Sequence, residues 1–229
     1  FGINSCILSN QTLGTKTIPT GQTFDTYYAD IPIEEIEMRM ADSLSGYSNT
    51  RITVGAIRDE EYGLTTRSCA VTLLPLLDTL DYGKDPVYKS FYFSAAVDTC
   101  SVSQENQKHL LQNINVYETA EVLDFEKNDI HGTIQHGTKR ISKGIPMISG
   151  TSDSLSFFFT EEFGKKYMGI TAEDLKDLKT YLTKRPGIYF TSDSPKANGG
   201  RINIFKLQLG YNSSYNAITG QYAKLDFNA

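Results

Sequence analysis

The chain contains no tryptophan, only three cysteines and three histidines, and no excess of basic residues. Three cysteines (Cys6, Cys69 and Cys100) cannot all pair within one molecule, and none belongs to a Cys-x-x-Cys unit, so zinc-ribbon and thioredoxin-like readings fail. His131 and His136 stand five apart near Asp129 in a polar, non-helical stretch. That spacing does not place two ligands on one helix face, and they read as solvated loop residues. Lys plus Arg number 22 against 27 Asp plus Glu, a net charge of −5. A mildly acidic chain without a concentrated basic patch is a poor nucleic-acid ligand. No apolar run approaches the roughly 18 residues of a membrane helix; the longest, Leu73-Leu74-Pro75-Leu76-Leu77, is interrupted by proline. There is no Gly-x-Ser-x-Gly, no phosphate-cradling glycine loop and no Asp-x-Asp-x-Asp-Gly calcium loop. No metal or cofactor is expected from these residues.

What the chain does have is short β-forming runs. Residues 15–18, 23–28, 51–56, 65–74, 89–97 and 112–117 are rich in Thr, Val, Ile, Tyr and Phe. Turn-forming clusters separate them: Gly46-Tyr47-Ser48-Asn49, Asp59 to Gly63, and Asp81 to Pro86. Alternation is clear in Ser90-Phe91-Tyr92-Phe93-Ser94 and Ile114-Asn115-Val116-Tyr117. Regularly spaced short strands with turn signals predict a mainly β protein, an antiparallel sandwich of jelly-roll-like type. One short helix is expected near 172–184: Thr171 is a suitable N-cap with Asp174 three residues on, and Leu175, Leu178 and Leu182 share a helical face. Residues 32–43 fit either a second helix or a strand, and 105–111 fit at most a helical turn. Strands resume at 188–191 and 201–209, and Asn198-Gly199-Gly200 reads as a hairpin turn between them. A last strand-like run covers 221–227.

Acid–base chemistry needs two carboxylates facing each other across a cleft. Glu34, Glu35 and Glu37 crowd one short stretch, and Glu60 and Glu61 follow Asp59 in a turn; both groups read as solvated faces. No catalytic residue is assigned. Cys69 reads as a small buried hydrophobe, and a Cys69–Cys100 disulfide stays open as an alternative. The sequons at Asn10 and Asn212 carry no weight. The aromatics are 14 Tyr and 12 Phe. A tyrosine ring offers an apolar face and an outward hydroxyl, which suits sugar or protein contacts. Tyr47, Tyr62, Tyr82 and Tyr88 lie in or beside turn-like segments and are the expected exposed binding candidates. Gly55, Gly63 and Gly187 suit positive-φ turn positions, and Asp59 suits a side chain that bonds its own turn backbone.

One constellation goes beyond generic β sequence. It comprises Ala41-Asp42-Ser43-Leu44, Val54-Gly55-Ala56-Ile57-Arg58-Asp59-Glu60-Glu61-Tyr62-Gly63, Asn115-Val116-Tyr117-Glu118 with Val122-Leu123-Asp124, Phe163-Gly164, and Lys184-Arg185-Pro186-Gly187-Ile188-Tyr189-Phe190. In order and spacing it resembles a large family of uncharacterised Bacteroidota surface lipoproteins with a β-sandwich region, over residues 13–209. The resemblance implies lipid attachment at Cys6, shortly before Leu13-Gly14, although the chain retains residues ahead of Cys6. It also implies a signal peptide removed in the native protein, an outer-membrane location exposed at the cell surface, and membrane contact only through the anchor. The organisation expected is a linker over 1–14 and a single sandwich over 15–229 that continues past the C-terminus in longer relatives. The function expected is a non-enzymatic binding or adhesion module for a glycan or surface protein. The alternatives are a polysaccharide hydrolase whose carboxylates converge only in the fold, and a structural subunit of an envelope assembly.

Overall fold

The computed structural model describes residues 51–75, 82–123, 133–206, 211–212, 217–218 and 222–228. The chain divides into two compact units, Phe1–Ala41 and Asp42–Ala229, and all described residues belong to the second. The expected strands at 15–18 and 23–28, the 32–43 element, Cys6, the Asn10 sequon, Tyr47, Asp129 and His131 lie outside the described residues.

Among the described residues strand outweighs helix by 50% to 16%, in two antiparallel sheets without barrel closure, consistent with the expected β-sandwich. The first sheet is built from β1 (Arg51–Asp59), β2 (Gly63–Arg67), β4 (Val87–Val102), β8 (Ser154–Phe158), β10 (Gly199–Lys206) and β13 (Tyr222–Asn228). Its order is β13-β4-β10-β1-β2, with β8 also on β4. The second sheet holds β3 (Cys69–Val71), β5 (Gln112–Thr119), β6 (His136–Arg140), β7 (Met147–Ile148) and β9 (Ile188–Ser192), in the order β3-β9-β5-β6 with β7 on β5. A separate two-residue pair joins β11 (Tyr211–Asn212) and β12 (Ala217–Ile218).

Period-two alternation decides which side chains meet in the core. Phe91, Phe93 and Ala95 of β4, Leu155 and Phe157 of β8, Ile114 and Val116 of β5, Ile188 and Phe190 of β9, and Val54 and Phe205 are all buried in one cluster. The filling is largely aromatic: Phe93 lies 5.1 Å from Phe157 and 5.4 Å from Phe190, ring centre to ring centre. Three helices, α1 (Glu161–Met168), α2 (Ala172–Lys176) and α3 (Leu178–Lys184), lie between β8 and β9 in the chain. α1 inserts Phe163 and Tyr167, one turn apart, beside Phe91 at 6.2 and 5.2 Å. Thr160 caps it by accepting from the Phe163 N–H, and Glu161 and Glu162 favour its N-terminus.

Several expectations need correction. The 65–74 run is not one strand: it breaks at Ser68, with β2 paired to β1 in one sheet and β3 to β9 in the other. The expected 188–209 hairpin does not form, because β9 pairs with β5 and β3 whereas β10 pairs with β1 and β4. Glycine at 199 and 200 serves positive φ, but within the start of β10, where the two residues pair with Arg58 and Ile57 of β1. The 172–184 helix is two helices. Its N-terminal capping box is present, with Thr171 and Asp174 bonding each other's backbone N–H. Asp177, however, is extended and caps α3 afresh. The interruption turns Leu178 outward, 57% exposed, while Leu175 and Leu182 still pack on the core. α1 and β8 were not anticipated.

Candidate functional site

The most developed surface is the outer face of the second sheet. Because Ile114 and Val116 point inward, Asn113, Asn115, Tyr117 and Thr119 of β5 fall on the other face. The same parity turns Tyr189 of β9 outward. Register places Tyr117 opposite Tyr189 on one side and Arg140 on the other, and Thr119 opposite His136. The exposed His136 imidazole stacks on Tyr117 at 4.8 Å and 25°, and on Tyr189 at 4.6 Å and 14°. The Tyr189 hydroxyl lies 2.9 Å from Ser68 Oγ and donates to it. A strip of three near-parallel rings therefore crosses three strands.

A polar row adjoins the strip. Asn115, only 6% exposed, accepts from Arg140 Nε at 3.0 Å through Oδ1 and donates through Nδ2 to Asp193 Oδ1 at 2.8 Å. Asp193 Oδ2 accepts from Asn113 Nδ2 at 3.1 Å. A guanidinium, two amides and a carboxylate are thus locked to one another beside the rings. Such groups on regular strands are held more closely than groups on loops.

Tyr62 is 79% exposed at the tip of the β1–β2 turn. Asp59 shapes that turn as expected, with Oδ1 accepting from the backbone N–H of Glu61 and Tyr62 at 2.9 and 3.2 Å. Tyr82 and Tyr88 do not behave as free surface rings. Tyr82 is half-buried, edge-on to Phe227 at 5.0 Å. Tyr88 packs so closely on α1 that a Cβ at Gly164 would lie 2.3 Å from its ring. Burial raises the pKa of both hydroxyls. Gly63 has φ of 73° in the turn, as expected. Gly55 is instead in the middle of β1, where a Cβ would fall 2.1 Å from the Arg201 carbonyl oxygen. Gly187 leads into β9, with the Val71 carbonyl 2.9 Å from where a Cβ would sit. These glycines answer to close backbone approach.

Cys69 and Cys100 are both free thiols. Burial pushes the Cys69 thiol up to about 12, which suppresses the reactive thiolate. Of the acidic turn, Glu60 accepts from Asn198 Nδ2 at 2.6 Å. Among the described residues, no group of three His, Cys, Asp or Glu side chains is arranged to hold a metal ion. No described helix is long and apolar enough to cross a membrane.

A second arginine–asparagine network lies inside the sandwich. Arg201, 3% exposed, donates from Nε to Asn203 Oδ1, from Nη1 to the Lys108 and Leu110 carbonyls, and from Nη2 to the Ile148 carbonyl, all at 2.6–3.0 Å. Asn203 donates in turn to Val54 O and Gln112 Oε1. No carboxylate takes part, and burial lowers the Arg201 pKa. The network ties the loop before β5 and strand β7 to β10. A shallow apolar groove of about 420 Å³ lies between Leu74, Pro75, Leu175, Leu178 and Tyr181.

The residues of the outer-face strip are not legible as a group in the sequence because they are far apart in the chain. Only β-sheet register unites 117, 136 and 189. The available signal was the alternation Asn113-Ile114-Asn115-Val116-Tyr117, which places two amides and a ring on one face. No known family model, curated protein or solved structure matches this chain.

Proposed function

We propose that this chain is a non-enzymatic binding or adhesion module of a lipid-anchored envelope protein, exposed at the cell surface, and that it contacts a glycan through the outer face of β5, β6 and β9. One observation carries the reading: the Tyr117–His136–Tyr189 strip lies beside a hydrogen-bonded row of amide, guanidinium and carboxylate groups. Sugars are bound by that pairing of chemistries. Aromatic rings take the apolar C–H faces, and planar polar side chains take the hydroxyls. Holding these groups on paired strands lowers the ordering cost of binding. The resemblance to Bacteroidota surface lipoproteins supports the location and the anchor at Cys6.

A glycan-array screen of the purified chain, with and without calcium, followed by calorimetry on each hit, tests the binding reading. Saturable binding that falls at least tenfold in Tyr117→Ala is the expected result. A blank array overturns the glycan assignment and redirects the search to surface proteins. Fractionation of native cells tests the location: the protein is expected in the outer-membrane fraction, and recovery from the cytoplasm would overturn it.

A further inference from the structure

We infer that the glycan taken by this face is acidic, with Arg140 binding the carboxylate of a uronate-type sugar whose ring stacks on Tyr117. The inference rests on the reading of the face as a glycan contact and goes further by naming the charge class of the ligand. Its starting point is a count of donors. Arg140 spends Nε on Asn115 Oδ1, and among the described residues its terminal nitrogens meet neither a hydrogen-bond acceptor nor a carboxylate. A guanidinium presents five N–H groups in a planar fork suited to two-point contact with a carboxylate. Here the inner edge of the fork is used and the outer edge is open to solvent.

The orientation of that fork is set from below. Asn115 is buried, and its amide is anchored to Asp193, which is itself held by Asn113. Arg140 consequently stands on a chain of hydrogen bonds instead of sampling the many rotamers of a surface arginine. Arginine side chains carry a large rotamer entropy, and the part already lost here is not charged to binding. The Asp193 carboxylate takes one amide donor on each oxygen, and Asn115 lies between it and the guanidinium in the chain of bonds. Of the other cations on β6, Lys139 is paired with Glu162, which leaves Arg140 as the cationic group beside the rings.

Reach also fits. Arg140 and Tyr117 are direct cross-strand partners. Such neighbours have Cβ atoms roughly 5 Å apart, about the width of a sugar ring. A pyranose lying on the Tyr117 face that His136 leaves open can therefore extend its ring carboxylate to Arg140. The overall charge of −5 argues against diffuse attraction to an acidic polymer, so recognition has to come from one built contact.

The test uses an array carrying neutral, uronate-bearing and sialylated oligosaccharides, then calorimetry of each hit against its methyl ester, with wild-type chain, Arg140→Gln and Arg140→Lys. Hits confined to carboxylate-bearing glycans are expected. Methyl esterification and Arg140→Gln should each weaken binding by at least tenfold, with the variant losing no more melting temperature than one hydrogen bond accounts for. Arg140→Lys should fall between, because lysine offers charge without the fork. Equal affinity for acid and ester, or wild-type binding by Arg140→Gln, overturns the acidic assignment while leaving the glycan reading intact. Hits among neutral sugars alone do the same. An array blank for every class overturns both.

Discussion

Two arginines of this molecule each bond an asparagine with Nε, and there the likeness stops. Arg201 faces the interior, where three backbone carbonyls consume its terminal nitrogens. Arg140 stands on the outer face of the opposite sheet, and its terminal nitrogens have no partner in the described residues. Residue type and first partner are identical, yet one guanidinium works as an internal clamp and the other is a presented group. Burial and the completeness of the donor count separate a structural polar network from a binding one. A buried polar group left unsatisfied is costly, and four of the five Arg201 N–H groups have acceptors. Water satisfies an exposed donor without strain, so Arg140 can remain open until a ligand displaces that water.

Removing each arginine in turn gives the largest contrast. Arg201→Ala would remove the donor from four acceptors, of which Asn203 Oδ1 and the Ile148 carbonyl are buried, and is expected to cost about 3–5 kcal/mol in denaturant unfolding. Arg140→Gln removes one hydrogen bond, to Asn115 Oδ1, and should cost about 1 kcal/mol. Equal losses in both variants would erase the distinction. Gly55→Ala tests the packing beside the inner network: its Cβ would meet the Arg201 carbonyl oxygen at 2.1 Å at a φ of 156°. A loss of about 2–3 kcal/mol is expected from the forced separation of β1 and β10. Unchanged stability would show that these strands can part cheaply.

A smaller effect is expected at α2. The Lys184 ammonium, and after it the Thr171 N–H, lower the Asp174 pKa below the ordinary aspartate value. A carboxyl depressed in the folded state stabilises fully above its unfolded value of about 3.9, and that contribution disappears as pH falls through the folded value. Asp174→Asn should therefore be less stable than wild type at neutral pH, and the gap should close on acidification below pH 4. A gap that does not narrow on acidification would sink this account. The smallest effect belongs to Tyr62. Alanine there should change stability by less than about 0.5 kcal/mol and leave glycan binding unchanged, whereas Tyr117→Ala should lose binding. Binding lost through Tyr62 would move the site to the β1–β2 turn.

The fold was legible wherever a local rule acted alone. The alternation of Phe91 and Phe93 announced a strand with one buried side. Asp59 announced a turn, and Thr171 with Asp174 announced a helix start. β8 was harder to read because Phe157, Phe158 and Phe159 are contiguous, which hides an alternation that turns Phe158 outward at 47% exposure. α1 was missed because Gly164 sits inside it, and glycine lowers helix propensity. Its reason is tertiary, since Tyr88 fills the space a side chain would need. The binding candidates fared unevenly for the same reason. Tyr62 is exposed at a turn tip, but Tyr88 found a partner some 75 residues away in sequence, which no turn-based reading could foresee.

Composition, alternation and turn chemistry by themselves determined a mainly β chain with a capped helical stretch before its late strands, because those signals act over a few residues. Strand pairing decided the rest. Which sheet each strand joined separated β2 from β3 and β9 from β10. Register brought Tyr117, His136, Tyr189 and Arg140 onto one face. Depth in the sandwich made Arg201 a clamp and left Arg140 open. Side chains far apart in the chain acquire a joint chemistry only when hydrogen-bonded strands fix them side by side, and that is a property of the folded sheet.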